Sequence, residues 1–282
     1  MNKKSGILLI NKPIKMSSFF AVKKIRSLLG IKKVGHAGTL DPLAQGLLVI
    51  AFGKYTKLCE YLSGESKIYQ TVIKLGEKTT TDDAEGEVLE TKDCSLISKN
   101  DIEEAIKKFT GIIAQVPPNF SAIKINGKRA YAMARNNENI LLQPRNIEIY
   151  YIKLISFNLP YITLEVFCSK GTYIRSLARD LGDYLGCNAY AYNITRLSSG
   201  SFNLNDAALF DDLTKENIYS YVLFDSDLTN NFSTLKITQE DWDNKNLLPN
   251  NLQQFCLVEV NNKIVAFIKQ SLEQAKIVNL LD

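Results

Sequence analysis

Histidine is almost absent from this chain of 282 residues: His36 stands alone. With one imidazole, most histidine-based metal centres and catalytic triads have no parts to be built from. The cysteines, Cys59, Cys94, Cys168, Cys187 and Cys256, are odd in number and no two form a C-x-x-C pair. That argues against a disulfide framework or a zinc site and for reduced thiols. No apolar run reaches the roughly 20 residues that span a bilayer. Gly6–Ile10 is too short for a signal-peptide core and is broken by Asn11-Lys12-Pro13. The expected location is the cytoplasm.

Acidic residues are missing from the first forty positions, where nine basic side chains lie and Asp41 is the first carboxylate. Residues 1–200 carry 28 basic and 18 acidic side chains, residues 201–282 carry 6 and 12. The net charge of +4 therefore hides a basic body and an acidic tail segment. A basic body suits a polyanionic partner, because Lys and Arg contacts to phosphates release counterions. From Gly111 to Asn137 there is again no acid, while Lys124, Lys128, Arg129 and Arg135 alternate with Phe120 and Tyr131. Such interleaving suits backbone and stacking contacts to RNA.

Hydrophobic residues at 45% and charged residues at 23% allow a sizeable core. Gly6–Ile10, Gly46–Phe52 and Lys67–Leu75 read as strands. A helix capped at Ser17 or Ser18 runs to Leu29, with Phe19, Val22, Ile25 and Leu29 expected on one face, and Gly30 closes it. Ile31–Gln45 reads as a glycine-rich loop and Thr56–Leu62 as a short helix. Ser98 and Asp101 have capping-box spacing for a helix to Phe109. Val116-Pro117-Pro118 is extended, and Arg129–Arg135 is helical. Arg145–Phe157 and Tyr161–Cys168 form an antiparallel pair. Thr172–Leu185 is a helix stopped by Gly186, and Ala189–Leu197 is a strand. Strands outnumber helices without regular alternation, which gives an α+β class with a mixed or antiparallel sheet. Residues 203–232 connect, and 234–282 form a small β-rich module with strands Phe255–Val260 and Ile264–Lys269.

Chemistry is most expected at Val34-Gly-His-Ala-Gly-Thr-Leu-Asp-Pro-Leu-Ala-Gln-Gly46. Its glycines let backbone approach a ligand closely, and Pro42 biases Asp41 toward an extended conformation. Asp-Pro also opens turns, so the bland reading is a turn cap. The other reading is a carboxylate amid positive charge, a setting that favours its ionised, nucleophilic form.

Gly35 to Leu48 meets the pattern G-H-x-G-T-L-D-P-x-A-x-G-x-L and so resembles the catalytic motif of the bacterial tRNA pseudouridine-55 synthases, the TruB family. Gly6–Pro13 resembles that family's opening segment. Lys67-Ile-Tyr69 resembles its K-x-Y motif, Pro117–Lys124 its P-P-x-x-S-A-x-K segment, and Ser169–Arg175 its S-K-G-T-Y-I-R motif. The blocks keep the family's order over about residues 5–200.

The resemblance implies a pseudouridine-synthase-like catalytic domain over 1–233, an RNA-clasping insertion at about 111–145, and a PUA-like module over 234–282. It implies Asp41 as nucleophile, Arg175 as its pairing partner and Tyr69 as a stacking residue on the target base. Tyr173 would reach the same pocket, Ile194 would line it and Asp83 would contact the flipped base. His36 would take the place the nucleotide vacates, and Lys124, Lys128 and Arg129 would grip RNA. The partner implied is the TΨC stem-loop of tRNA, met by a monomer. No cofactor, metal or membrane is called for, because breaking N1–C1′ and forming C5–C1′ needs neither redox chemistry nor an external nucleophile. Lys15 stands where the family has Gly, Asn11 where it has Asp, Asn188-Ala-Tyr190 where it has Gly-Ala-His, and Thr195-Arg196-Leu197 where it has Arg-Arg-Thr. Two rivals share these residues: a non-catalytic RNA-binding protein, and a nucleosidase that releases free uracil.

Overall fold

The structure is a computed structural model that describes residues 5–121, 123–125, 127–136, 141–229, 232–243, 255–270 and 275–280. The strands that matter for the site are β1 (Gly6–Lys12), β2 (Val34–His36), β3 (Gln45–Phe52), β4 (Lys67–Leu75), β5 (Gly111–Gln115), β6 (Arg145–Asn158), β7 (Tyr161–Cys168) and β8 (Ala189–Ser199). They form one large mixed sheet in which Ala208–Leu209, β1, β3, β8, β4, β7, β6 and β5 lie side by side. β3 pairs β8 in parallel, whereas β1–β3, β8–β4, β4–β7, β7–β6 and β6–β5 are antiparallel. The architecture is α+β, with helices flanking the sheet and a small β module at the C-terminal end.

Four helices carry most of the remaining argument: α1 (Ser18–Leu29), α2 (Lys99–Phe109), α3 (Ala130–Arg135) and α4 (Ile174–Tyr184). The α1 helix starts as its sequence requires, with Ser17 accepting a hydrogen bond from the Phe20 N–H, and ends at Gly30 with φ +66°. Its buried face is Ser18, Ala21, Val22, Ile25 and Leu29. The expected burial of Phe19 is wrong: that ring is 71% exposed. Helical periodicity places Phe19 about 90° from the centre of the stripe formed by Val22 and Ile25, whose other edge is Ala21. The α2 helix begins with the Ser98–Asp101 capping box. The α4 helix starts at Ile174 with Tyr173 as its N-cap, slightly later than expected, and buries Ile174, Arg175, Leu177, Ala178 and Leu181. A Cβ on Gly182 would lie 2.2 Å from the Ala189 backbone nitrogen, so only glycine lets α4 press onto the start of β8.

The expected loop Ile31–Gln45 contains the short strand β2, which pairs β3. The expected helix Thr56–Leu62 is a 3-10 turn, Gly53–Leu58, followed by Cys59–Ser63. In the C-terminal segment β9 (Thr234–Ile237), β10 (Phe255–Val260), β11 (Lys263–Gln270) and β12 (Ala275–Leu280) form a separate sheet in that order. β9 runs parallel to β10 and the rest are antiparallel.

Both faces of the antiparallel β1–β3 pair are dry. One side, with Leu8, Ile10, Leu48 and Ile50, packs in the main core under α1. The other, with Ile7, Leu9, Leu47 and Val49, packs with Tyr55 and with Leu257 and Ile264 of the C-terminal sheet. Asp225 joins the same contact: it accepts from the Tyr55 hydroxyl and, at 3.3 Å, from the Ile264 N–H.

Candidate active site

β3, β8 and β4 meet where parallel pairing gives way to antiparallel, and they set Gly46, Arg196 and Tyr69 in one row across the sheet. Above that row a cleft of about 280 Å³ is lined by Asp41, Tyr69, Tyr173, Arg175, Ile194 and Arg196, with Lys67 and Ser121 at its edges.

Asp41 reaches the cleft on a loop pinned from both ends. Ala37 N–H donates to Val49 O at 2.9 Å, and Ala44 N–H to Asp41 O at 3.1 Å. The Ser18 hydroxyl accepts from Leu40 N–H at 2.8 Å and donates to Leu40 O at 2.9 Å, so the start of α1 holds the residue before Asp41. Lys15 N–H donates to Pro42 O at 2.7 Å. Gly46 closes the loop at φ +100°, and a Cβ there would sit 2.4 Å from the Arg196 carbonyl oxygen. No other residue fits that crossing.

Arg175, 4% exposed in the first turn of α4, holds the carboxylate: Nη2 lies 2.8 Å from Asp41 Oδ2, whose side chain is 38% exposed. The same guanidinium reaches Asp83 Oδ2 at 3.5 Å, Thr81 O at 3.2 Å and Phe120 O at 2.9 Å. One turn later Arg179 donates to Asp82 Oδ2 at 2.9 Å and Val116 O at 2.8 Å. Two arginines at i and i+4 thus clamp the same two loops, 79–86 and 116–121, against one helix. Gln115 fixes the helix start by donating to Tyr173 O and accepting from Tyr173 N–H.

Arg196 lies beneath the cleft, 1% exposed. Its Nε donates to Leu47 O at 2.7 Å and Nη2 to Gly38 O at 3.2 Å, which ties both arms of the Asp41 loop to β8. Burial pushes the Tyr69 hydroxyl above its ordinary pKa, and Arg196 beside it draws it only part of the way back. Burial likewise raises Tyr173. Lys12, wholly buried at the end of β1, donates to Pro13 O at 2.9 Å and Met16 O at 2.7 Å. Desolvation lowers it to about 8, opposed by the charge of Asp41. Lys67 is lowered to about 8 by burial and by Arg196.

Of the residues singled out by sequence, Asp41, Tyr69, Tyr173, Arg175 and Ile194 line the cleft together. Asp83 is buried behind Arg175, where Glu85 N–H and the Thr81 hydroxyl also donate to it. His36 lies on β2 opposite Ile50, outside the cleft lining, and burial and the charge of Arg196 lower its pKa. Lys124 and Arg129 belong to the strand pair Lys124–Ile125 and Lys128–Arg129. Their side chains lie outside the described part, and Lys128 is exposed and not among the residues that line the cleft. Sequence reasoning missed the structural parts of Arg196, Lys12 and Arg179. The signal for Arg196 was an arginine set among the β-forming residues of 189–197.

Fold and cleft point toward the pseudouridylate synthases, and comparison with known proteins bears on that directly. The family model described as TruB family pseudouridylate synthase (N terminal domain) matches residues 26–174. The tRNA pseudouridine synthase B of Clostridium kluyveri is 47% identical over 218 residues, 77% of this chain and 75% of that one. That of Pseudomonas aeruginosa is 44% identical over 211 residues, 75% of this chain and 69% of that one. Among solved structures, a chain of a Cbf5–Nop10–Gar1 complex shares the fold at a TM-score of 0.76 and 20% identity, covering 100% of this chain and 86% of its own length. An archaeal box H/ACA Nop10–Cbf5 complex does so at 0.72 and 19%, covering 99% and 86%. The class is pseudouridylate synthase. Within it, the chain belongs to the TruB family.

Proposed function

We propose that this chain converts uridine to pseudouridine in tRNA, at position 55 in the TΨC loop, with Asp41 as the nucleophile. The observation that carries the reading is the ion pair of a part-exposed Asp41 with a buried Arg175 inside a cleft that Tyr69 and Ile194 also line. A carboxylate held this way is oriented before substrate arrives, so little ordering is left for the reaction step. In the isomerisation N1–C1′ breaks, C5–C1′ forms, C5 loses a proton and N1 gains one. The uracil never departs, so Asp41 needs no second carboxylate as a leaving-group acid. Attack at C1′, attack at C6 and elimination at the sugar are all open to it.

Tyr69 and Ile194 serve as the walls between which the extruded base sits. Tyr69 takes part as a neutral phenol, because burial raises its pKa. Tyr173 closes the rim, and Asp83 acts through Arg175. His36, neutral for the reason given above, takes the vacated place in the RNA. Lys124, Lys128 and Arg129, in the RNA-clasping insertion at about 111–145, grip the stem. Residues 1–233 form the catalytic body and 234–282 a PUA-like module, in a cytoplasmic monomer.

Mapping pseudouridine in a tRNA transcript incubated with the purified protein tests the proposal. Wild type is expected to modify uridine 55, and Asp41→Asn to leave it unmodified while still binding the transcript. Equal modification by both proteins would remove Asp41 from the reaction. Free uracil with no isomer in the RNA would favour a nucleosidase.

A further inference from the structure

The outer side of α1 has no part in the cleft, yet it exposes what a helix ordinarily hides. Phe19 is 71% exposed and Phe20 52%, with Ile14 beside them at 39%. Two adjacent phenylalanines facing water form an apolar patch that calls for a partner. Lys15, Lys23 and Arg26 are exposed around them, and Phe19, Lys23 and Arg26 follow one another at i, i+4 and i+7 down one stripe. No carboxylate occurs among residues 1–40 to neutralise them. The patch is also joined to the rim of the cleft: Ser18, next to Phe19, holds Leu40 by both backbone groups, and Lys15 N–H holds Pro42 O. Leu40 and Pro42 flank Asp41.

Aromatic faces with cations about one helical turn away match single-stranded nucleic acid, whose bases stack while its phosphates take the cations. Extruding a uridine from an RNA loop leaves neighbouring bases with uncovered faces at that same rim. We infer that Phe19 and Phe20 are a stacking ledge for nucleobases adjoining the target uridine, with Lys15, Lys23 and Arg26 beside the connecting phosphates. This inference rests on the proposed RNA substrate and adds to it a second place of contact.

The test compares wild type, Phe19→Ser/Phe20→Ser, Phe19→Leu/Phe20→Leu and Phe19→Trp/Phe20→Trp on a tRNA transcript, with Leu96→Ser as a control at another exposed apolar residue. The Ser pair is expected to raise KM roughly ten-fold, the scale of one or two lost base stacks, with the loss falling on KM rather than kcat. The Trp pair should keep the wild-type KM, and the Leu pair should behave as the Ser pair does. In a stem-loop carrying 2-aminopurine beside the target uridine, the emission change on binding should vanish with the Ser pair. An unchanged KM in the Ser pair would overturn the ledge and assign the patch to a protein partner or a second copy. Full rescue by Leu would overturn stacking. Wild type alone decides whether uridine is isomerised at all, so the two readings fail separately.

Discussion

Lys15 and Asn188 show how single positions carry the fold's constraints. Both have positive φ, +65° and +61°, and both stand where the sequence comparison of motifs expects glycine. Asn tolerates this region through its short side chain, whereas Lys holds it under strain, supported by its bond to Pro42 O. Two further residues give predictions at this scale. Arg196→Met keeps apolar bulk but leaves Leu47 O and Gly38 O unpaired under the loop. A loss of about 2–4 kcal/mol is expected in urea unfolding, together with loss of turnover. Lys12 has a folded pKa near 8, below its unfolded value of 10.5. The folded state therefore releases a proton that the unfolded state keeps, and stability gains as pH rises through that window, by up to about 3 kcal/mol. Thermal melts between pH 7 and 10 should show this upward contribution in wild type and its absence in Lys12→Met. Parallel curves for the two proteins would contradict the assignment.

At the scale of elements, α4 is the hub. Its two arginines hold loop 79–86 on one side and loop 116–121 on the other, and only the first of them touches Asp41. Arg179→Gln should lower kcat by about ten-fold with a smaller effect on KM, because the loops that fix Arg175 relax while the cleft stays open. Arg179→Lys should recover part of it by restoring the charge opposite Asp82. Equal kcat in Arg179→Gln and wild type would leave Arg179 a surface support only. Much of this level was legible in the sequence. The strands and capped helices follow from period-two and period-3.6 patterns, and the Asp41 loop stood out by its glycines and its lone acid. The i, i+4 arginines were visible too, but not their partners, since Asp82 and Val116 lie 97 and 63 residues away. Phe19 misled because it sits at the margin of the apolar stripe, where periodicity alone does not say whether neighbouring elements cover the ring. Arg196 was hidden for the opposite reason: period two gives a strand residue its face, but only the neighbouring strands make that face the floor of a cleft.

For the whole molecule, the C-terminal sheet was legible as two strands; β9 was missed because it has only four residues, and β12 because Ala-Lys-Ile-Val-Asn-Leu does not alternate regularly. What sequence could not convey is how that sheet meets the body. Tyr55 and Ile264 share the Asp225 carboxylate, and Leu257 and Ile264 enter the core behind β1 and β3. Tyr55→Phe removes one donor from a carboxylate at this seam. A cost of about 1–3 kcal/mol is expected, with faster hydrogen exchange in residues 255–266 than in the main sheet. Uniform exchange rates in mutant and wild type would show that the seam does not depend on it.

The β1–β3 pair, at whose end the Asp41 loop runs into β3, is sandwiched, with no wet side. A shortened chain ending near residue 233 would not simply lose an accessory. It would lay bare the back of the very ribbon that aims the carboxylate, so a fragment made to isolate the chemistry should be sticky, loosened and slow.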